Sequence, residues 1–278
     1  MKTVCKICDS LETSPRNHKN YENMWQCRNC GMVFIWPQPS WETIKELYSR
    51  DYFCNPKSAS VGYDNYREDK KLILKTFDKR LNKIEKIYPQ KGRLLDLGCA
   101  MGFFLEVARD RGWEVYGVDV SKMAADVAIQ KFGDRVSNDI LENLDFPDNY
   151  FDVITAWDYL EHVTEPQEVI SICRKILKPG GLLALTTPDL SSPVARLAGD
   201  SWMGYKKDHL FYFTRKSLSI ILQKNGFISE PMRTAGKYIM AKWFIKRLWI
   251  YSPLTSKILA KTFRLLRLPD FSIYINPF

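Results

Sequence analysis

From Gly92 onward the chain alternates short apolar runs with helical ones, and nothing else in it constrains the fold as tightly. RLLDLG (93–98), EVYGVD (114–119), FDVITAW (151–157) and GLLALTTP (181–188) read as buried strands. Between them, helices are expected over 103–111, 121–132 with Ser121 as cap, and 165–177. A fourth helix, capped by Thr214, runs through Asn225 and ends at Gly226. Strands separated by helices of this length pair in parallel. The expected fold class is therefore α/β, a doubly wound, Rossmann-like sheet.

Ligands of such sheets bind beyond the carboxyl ends of the strands, near the point where the winding reverses. The first strand-to-helix turn is DLGCAMG, Asp96 to Gly102. It lacks the G-x-G-x-x-G spacing that turns backbone amides toward a pyrophosphate. Its glycines, Gly98 and Gly102, are four apart and Asp96 precedes them. That pattern suits a ligand without phosphate and with a cationic end. Asp119 closes the second strand and is placed to accept both hydroxyls of a ribose.

Ahead of this region stand four of the seven cysteines, spaced C-x2-C-x18-C-x2-C: Cys5, Cys8, Cys27 and Cys30. Two such knuckles complete a tetrahedral thiolate shell, and a closed shell means structural zinc. His18 lies inside the loop and is expected to be exposed. Cys54, Cys99 and Cys173 have no partner at metal spacing. Met32–Trp36 reads as a strand ended by Pro37 and Pro39. A helix capped by Ser40 is expected over 41–48, a loop over 55–63, and a helix over 64–88 from the apolar spacing of Leu72, Leu74, Phe77, Leu81, Ile84 and Ile87. The expected organisation is a zinc-ribbon module (1–40), a helical linker or lid (41–91) and a central domain (92–235). A basic amphipathic helical insertion (236–268) and a partial last strand (269–278) follow.

The net charge of +9 is not spread evenly. Nine basic residues and no acidic one lie between Glu230 and Asp270, which leaves 32 basic against 31 acidic residues in the rest through Glu230. A nucleic-acid-binding face over the whole chain is disfavoured. The start, MKTVCKICDS, has no apolar run like that of a secretory signal, and no stretch reaches the roughly 20 apolar residues of a membrane-spanning helix. A cytoplasmic location is expected. The basic segment 237–268 reads as two helices broken at Ser252-Pro253, with Lys242, Lys246 and Arg247 on the first. Such helices either lie on an anionic inner-membrane surface or roof an acceptor pocket.

DLGCAMG, Asp119 after EVYGV, FDVITAWDYLEHV and LKPGG together resemble class I S-adenosylmethionine-dependent methyltransferases, over about 92–235. The opening CxxC…CxxCGMVF is similar to a subgroup with an N-terminal zinc ribbon that tailors polysaccharides and small molecules. The resemblance implies that Asp96, Gly98, Cys99 and Gly102 shape the turn around the amino-acid end of the cofactor. It implies that Asp119 takes the ribose, that Val120 packs on the adenine, and that Asp139 lies near the adenine amino group. Trp157 is implied beside the methionine part. Ala100 stands where many relatives carry Gly, and little effect is expected from it. The fold usually closes with a hairpin of its last two strands, and the final strand here is expected to be short or missing.

Methyl transfer from a sulfonium needs alignment, and a hydroxyl acceptor also needs a base. His209, in KKDHLFYFT, and His162, in DYLEHV, are the candidates, with Asp158 and Tyr159 behind them. Three function classes follow. They are methylation of a hydroxyl or amine on a small molecule or glycan, RNA methylation, and a non-catalytic cofactor-binding partner. The near-neutral first 230 residues disfavour RNA. The intact turn disfavours the third class.

Overall fold

A computed structural model of the chain describes residues 3–40, 43, 44, 46, 69–240, 261 and 272–275. The amino-terminal part is an antiparallel sheet of β1 (Thr13–Pro15), β2 (Met24–Cys27) and β3 (Val33–Ile35). An 18-residue helix, α1 (Lys70–Ile87), buries Leu72, Leu81 and Ile84 and leads into the main sheet. There β4 (Arg93–Leu97), α2 (Phe103–Asp110), β5 (Glu114–Val118), α3 (Lys122–Phe132) and β6 (Val136–Ser137) follow in order. The second half is β7 (Phe151–Trp157), α4 (Pro166–Ile176), β8 (Leu177–Thr186), α5 (Pro193–Ala198), β9 (Phe211–Tyr212) and α6 (Arg215–Lys224).

The five-stranded sheet has the order β6-β5-β4-β7-β8, all parallel. The winding reverses between β4 and β7, so the carboxyl ends of β4, β5 and β7 surround the crevice where such sheets take ligands. Leu94, Leu95, Val153 and Ile154 are fully buried. That explains why these strands read as continuous apolar runs rather than as alternation.

Three features depart from the sequence expectations. First, the ribbon does not stop at its own edge. β9, which sequence patterning missed, pairs antiparallel with β3 (Val33↔Tyr212, Phe34↔Phe211) and becomes the fourth strand of the amino-terminal sheet. Cys5, Ile7, Cys27, Cys30, Met32 and Phe34 share one buried cluster with Leu95, Ile154, Ile170 and Phe213 of the main domain. Second, Lys237–Met240 is a strand, β10, not the start of an amphipathic helix. It pairs with β11 (Ser272–Ile275) as a two-stranded sheet. The closing hairpin therefore exists, but among the described residues it does not join the main sheet. The Tyr238 amide donates to Thr76 Oγ1 of α1 at 2.9 Å. A two-residue pleat fits KYIM as well as a helix does, and its cross-strand partner lies 32 residues on, out of reach of local pattern. Third, His18 is not exposed. Its imidazole is buried between the rings of Tyr21 (centroids 5.0 Å) and Tyr205 (4.4 Å), a long-range contact that the sequence hides. The remainder of the expected segments 41–68 and 241–271 lies outside the described residues, apart from positions 43, 44 and 46 and Lys261.

Candidate functional site

The first half of the site hangs on β4 and β5. Gly98 (φ +72°) and Gly102 (φ +77°) turn the chain sharply after β4. A Cβ on Gly98 would approach Tyr159 Cδ2 to 2.9 Å, and one on Gly102 would meet Phe132 at 2.8 Å, so both positions exclude side chains on contact as well as on φ. The Gly98 and Cys99 amides donate to the Val118 carbonyl at 2.8 and 3.1 Å, tying the turn to the end of β5. Asp119 follows directly. Its Oδ2 accepts the Ala100 amide and its Oδ1 the Ser121 amide, each at 2.8 Å. One acid thus holds the glycine turn and the start of α3 together. Each oxygen keeps a further lone pair, which is what a pair of ribose hydroxyls would need.

Asp96 lies beneath, 2% exposed, accepting the Thr155 hydroxyl at 2.6 Å. Burial, with the charge of Asp119 adding to it, pushes Asp96 up to about 8 against the pull of Thr155 and Arg80. Burial also pushes Asp119 up to about 6, opposed by its two backbone amides. A cation placed beside these two buried acids would favour their ionised forms, because burial alone keeps their charge disfavoured.

The other expected residues divide. Val120, half-buried, follows Asp119. The Cys99 thiol is buried toward Gly117 of β5 and donates within the turn to the Ala100 carbonyl at 3.9 Å. Asp139 spends Oδ1 on the Ile140 amide and the Asn143 side chain, both at 2.8 Å, while neighbouring Asn138 donates to the Asp119 carbonyl at 2.9 Å. Trp157 ends β7 edge-on to Phe104 (5.3 Å), and its Nε1 is buried without a hydrogen-bond partner.

Sequence reasoning missed Arg80. From α1 its guanidinium lies 4.8 Å from the Trp157 ring centroid, and its charge acts on both Asp96 and Asp158. Its Nε is buried and unpartnered. The signal was present: position 80 lies three residues after Phe77 and four before Ile84, inside the apolar stripe. An arginine there has to face something.

The second half of the site joins the two histidine loops. The His162 and His209 rings meet edge to face with centroids 4.7 Å apart. His162 Nδ1 is 2.9 Å from the Asp208 carbonyl. His209 is 3% exposed and its Nδ1 has no partner. Glu161, also missed, is buried, with the Thr187 hydroxyl and its own backbone as the polar neighbours of its carboxyl. One ligand-capable atom of each of Glu161, His162 and His209 lies within 4.8 Å of the others. Burial drives Glu161 well above the usual carboxylate range, with Asp158 adding to it. Burial likewise holds His209 well below its ordinary value, with His162 and Lys206 acting the same way. His162 is also lowered, chiefly by burial.

The four cysteines converge. Their Sγ atoms lie within 4.8 Å of one another, with Cys5 to Cys30 at 3.7 Å and Cys8 to Cys27 at 3.5 Å. A tetrahedron with Zn–S bonds of ~2.3 Å has edges of about 3.8 Å. The donor set and its spacing therefore fit a zinc ion.

A family model described as a methyltransferase domain matches residues 65–228. The chain belongs to this family. Among curated proteins it is similar to the ubiquinone biosynthesis O-methyltransferase of Coxiella burnetii, 37% identical over 114 residues, 39% of this chain and 49% of that one. The counterpart from Thiobacillus denitrificans is 32% identical over 115 residues, 39% of this chain and 50% of its own. The chain thus spans about half the length of the curated relatives it matches. Among solved structures, a methyltransferase from Thermotoga maritima described as a possible histamine N-methyltransferase aligns with 67% of this chain and 82% of its own. Its identity is 20% and its TM-score 0.49. The parallel sheet is that of a methyltransferase domain.

Proposed function

We propose that the protein transfers a methyl group from S-adenosylmethionine to a hydroxyl of a small molecule or sugar, a glycan acceptor included. The observation that carries the cofactor assignment is Asp119: a buried carboxylate at the end of β5 whose Oδ2 holds the glycine turn and whose Oδ1 holds the start of α3, each oxygen retaining a further lone pair. Asp119 would take the ribose, and Gly98 to Gly102 would line the amino-acid end. Asp96 supplies negative charge for its cationic groups. Arg80, with an unpartnered Nε beside Trp157, would take its carboxylate. Val120 and Asp139 flank the adenine side. When bound, this cofactor supplies an electrophilic methyl group on a sulfonium whose departure leaves a neutral thioether.

The chain's own contribution is orientation and proton handling. His209 is unprotonated at neutral pH because burial disfavours its charge, so a ring nitrogen is ready to accept the acceptor hydroxyl's proton. His162 packs against it, and Glu161 lies beside both rings. The O-methyltransferases among the similar proteins support a hydroxyl acceptor over an amine. We also assign structural zinc to Cys5, Cys8, Cys27 and Cys30 on the spacing of their sulfurs. Among the described residues no helix is long and apolar enough to cross a membrane. A lipid-linked glycan is included among these acceptors, and the basic segment 237–268, of which residues 237–240 and Lys261 are described, would then contact an anionic bilayer.

The test is kinetic. On an identified hydroxyl acceptor, His209→Ala is expected to lower kcat about 10²-fold or more with cofactor affinity unchanged, as loss of a general base requires. Full activity in that variant would move the base to His162.

A further inference from the structure

The ribbon's two knuckles grip different parts of the catalytic half. The first, Cys5 to Cys8, is bound to the segment just after His162. Lys6 Nζ donates to the Thr164 carbonyl at 3.2 Å and pairs with Glu165, and Gln167 Nε2 donates to the Ile7 carbonyl at 2.9 Å. The second, Cys27 to Cys30, is bound to the segment just after His209. Thr214 Oγ1 donates to the Cys30 carbonyl at 2.8 Å, Lys216 reaches the Asn29 carbonyl, and the Ile35 amide of β3 donates to the Leu210 carbonyl at 3.0 Å. The two histidine segments are joined directly as well. The Leu210 and Phe211 amides converge on the Glu161 carbonyl at 2.8 and 3.2 Å, and His162 Nδ1 meets the Asp208 carbonyl. These contacts close a ring: first knuckle, His162 segment, His209 segment, second knuckle. The four sulfurs complete it, beside the β1–β2 pairing, in which Thr13 faces Cys27 and the Arg28 amide donates to the Glu12 carbonyl at 2.8 Å.

We propose that the four-cysteine centre is a clamp that fixes the distance between the His162 and His209 segments, so that metal in the ribbon positions the proton-handling groups from outside the site. This rests on the zinc and base assignments above, yet it can fail separately from either. The ring gives the reason for β9: a two-residue strand contributes little sheet by itself, but it lets β3 hold the backbone directly after His209. The cofactor half contains none of these contacts. Asp96, Gly98, Gly102 and Asp119 are tied to β4, β5 and β7 instead.

The full-length protein labelled with 15N-histidine tests the clamp, since it has only three histidines. Removing the metal with a chelator is expected to shift the His162 and His209 ring signals. It is also expected to raise amide hydrogen exchange at Ile35, Leu210 and Phe211 about tenfold or more, as a local opening does. Cofactor affinity by calorimetry should stay within about twofold, because local opening leaves distant elements intact. Metal release with unchanged ring signals and exchange overturns the clamp, as does native protein without metal by elemental analysis. Should chelation unfold the whole chain, metal-loaded Thr214→Val and Gln167→Leu provide the second route. Both keep all four thiols. Each should loosen Leu210 and Phe211, and Thr214→Ser, which retains the hydroxyl, should restore Thr214→Val. Loss of a helix cap alone would affect only the start of α6, and that pattern also overturns the proposal. If His209→Ala retains full turnover, the base assignment falls while the His162 signal still reports on the clamp.

Discussion

The half of the site proposed for the cofactor and the half proposed for the acceptor are assembled in different ways. Asp96 to Asp119 spans one strand, one helix and the next strand, and its groups are fixed by short-range backbone bonds: Gly98 and Cys99 to Val118, Ala100 and Ser121 to Asp119. The acceptor half draws on three remote stretches. Glu161 and His162 follow β7, Asp208 and His209 precede β9, and β3 of the ribbon holds them from residue 35. A half made from one βαβ unit is as stable as the sheet it stands on. A half made from converging loops depends on whatever braces the loops, and here the brace is the ribbon.

The largest effect expected from that contrast is in the ribbon. Cys27→Ser should lose the metal and cost on the order of several kcal/mol of stability, because metal-binding free energy is folding free energy in such sites. Denaturant midpoints together with elemental analysis check it. If the variant keeps its metal, or is as stable as the parent, the two halves are braced alike. Next comes Asp119→Ala, confined to the other half. Losing charge-assisted bonds to the ligand should weaken cofactor binding by ~1–3 kcal/mol in calorimetry. The His162 and His209 ring signals should stay in place. Tight binding of a nicotinamide dinucleotide instead would show that the glycine turn serves another ligand.

The same contrast decided what was legible beforehand. The strands at 93–97, 114–118 and 151–157, the turn glycines and Asp119 could all be read because each has a partner one βαβ repeat away. The four cysteines could be read because metal chemistry imposes its own spacing. β9 could not. Two residues in LFYF show no period, and their partner in β3 is about 180 residues away. His18 misled for the same reason: its burial comes from Tyr205. That Asp139 spends Oδ1 on Ile140 and Asn143 is a detail set by turn geometry rather than by residue type. Glu161 and Arg80 needed the third dimension to show that a charged group faces inward.

A third, smaller effect is in the pH response of the cofactor half. Asp96 has its pKa pushed up to about 8, so near neutrality it is mostly protonated in the ligand-free protein. A ligand with a cationic end favours the ionised carboxylate, so binding should expel a proton. Affinity should then rise with pH by up to about tenfold per unit below 8 and level off above it. Stability has the opposite sign. Between about pH 4, where the unfolded acid titrates, and about pH 8 the folded chain binds more protons than the unfolded one, so this group makes the ligand-free protein less stable as pH rises. Asp96→Asn keeps an acceptor for Thr155 and should flatten both slopes. Equal slopes in parent and variant would exclude Asp96 as the titrating group.

The smallest expected effect is at Ala100, which was expected to stand in for glycine at little cost. Its φ is +47°, in the left-handed region, held there because its amide must reach Asp119 Oδ2 at 2.8 Å. For a residue with a Cβ that conformation costs roughly 1–2 kcal/mol. Replacing it with glycine removes the strain but adds unfolded-state entropy of about 0.5–1 kcal/mol. Ala100→Gly should therefore stabilise the ligand-free chain by about 0.5–1 kcal/mol in denaturant titrations, with the ribbon's metal and the histidine ring signals unaffected. A loss of stability in Ala100→Gly would mean that the methyl group contributes packing, through its contact with Met101, Phe103 and Ala124, that exceeds the strain it imposes on the turn.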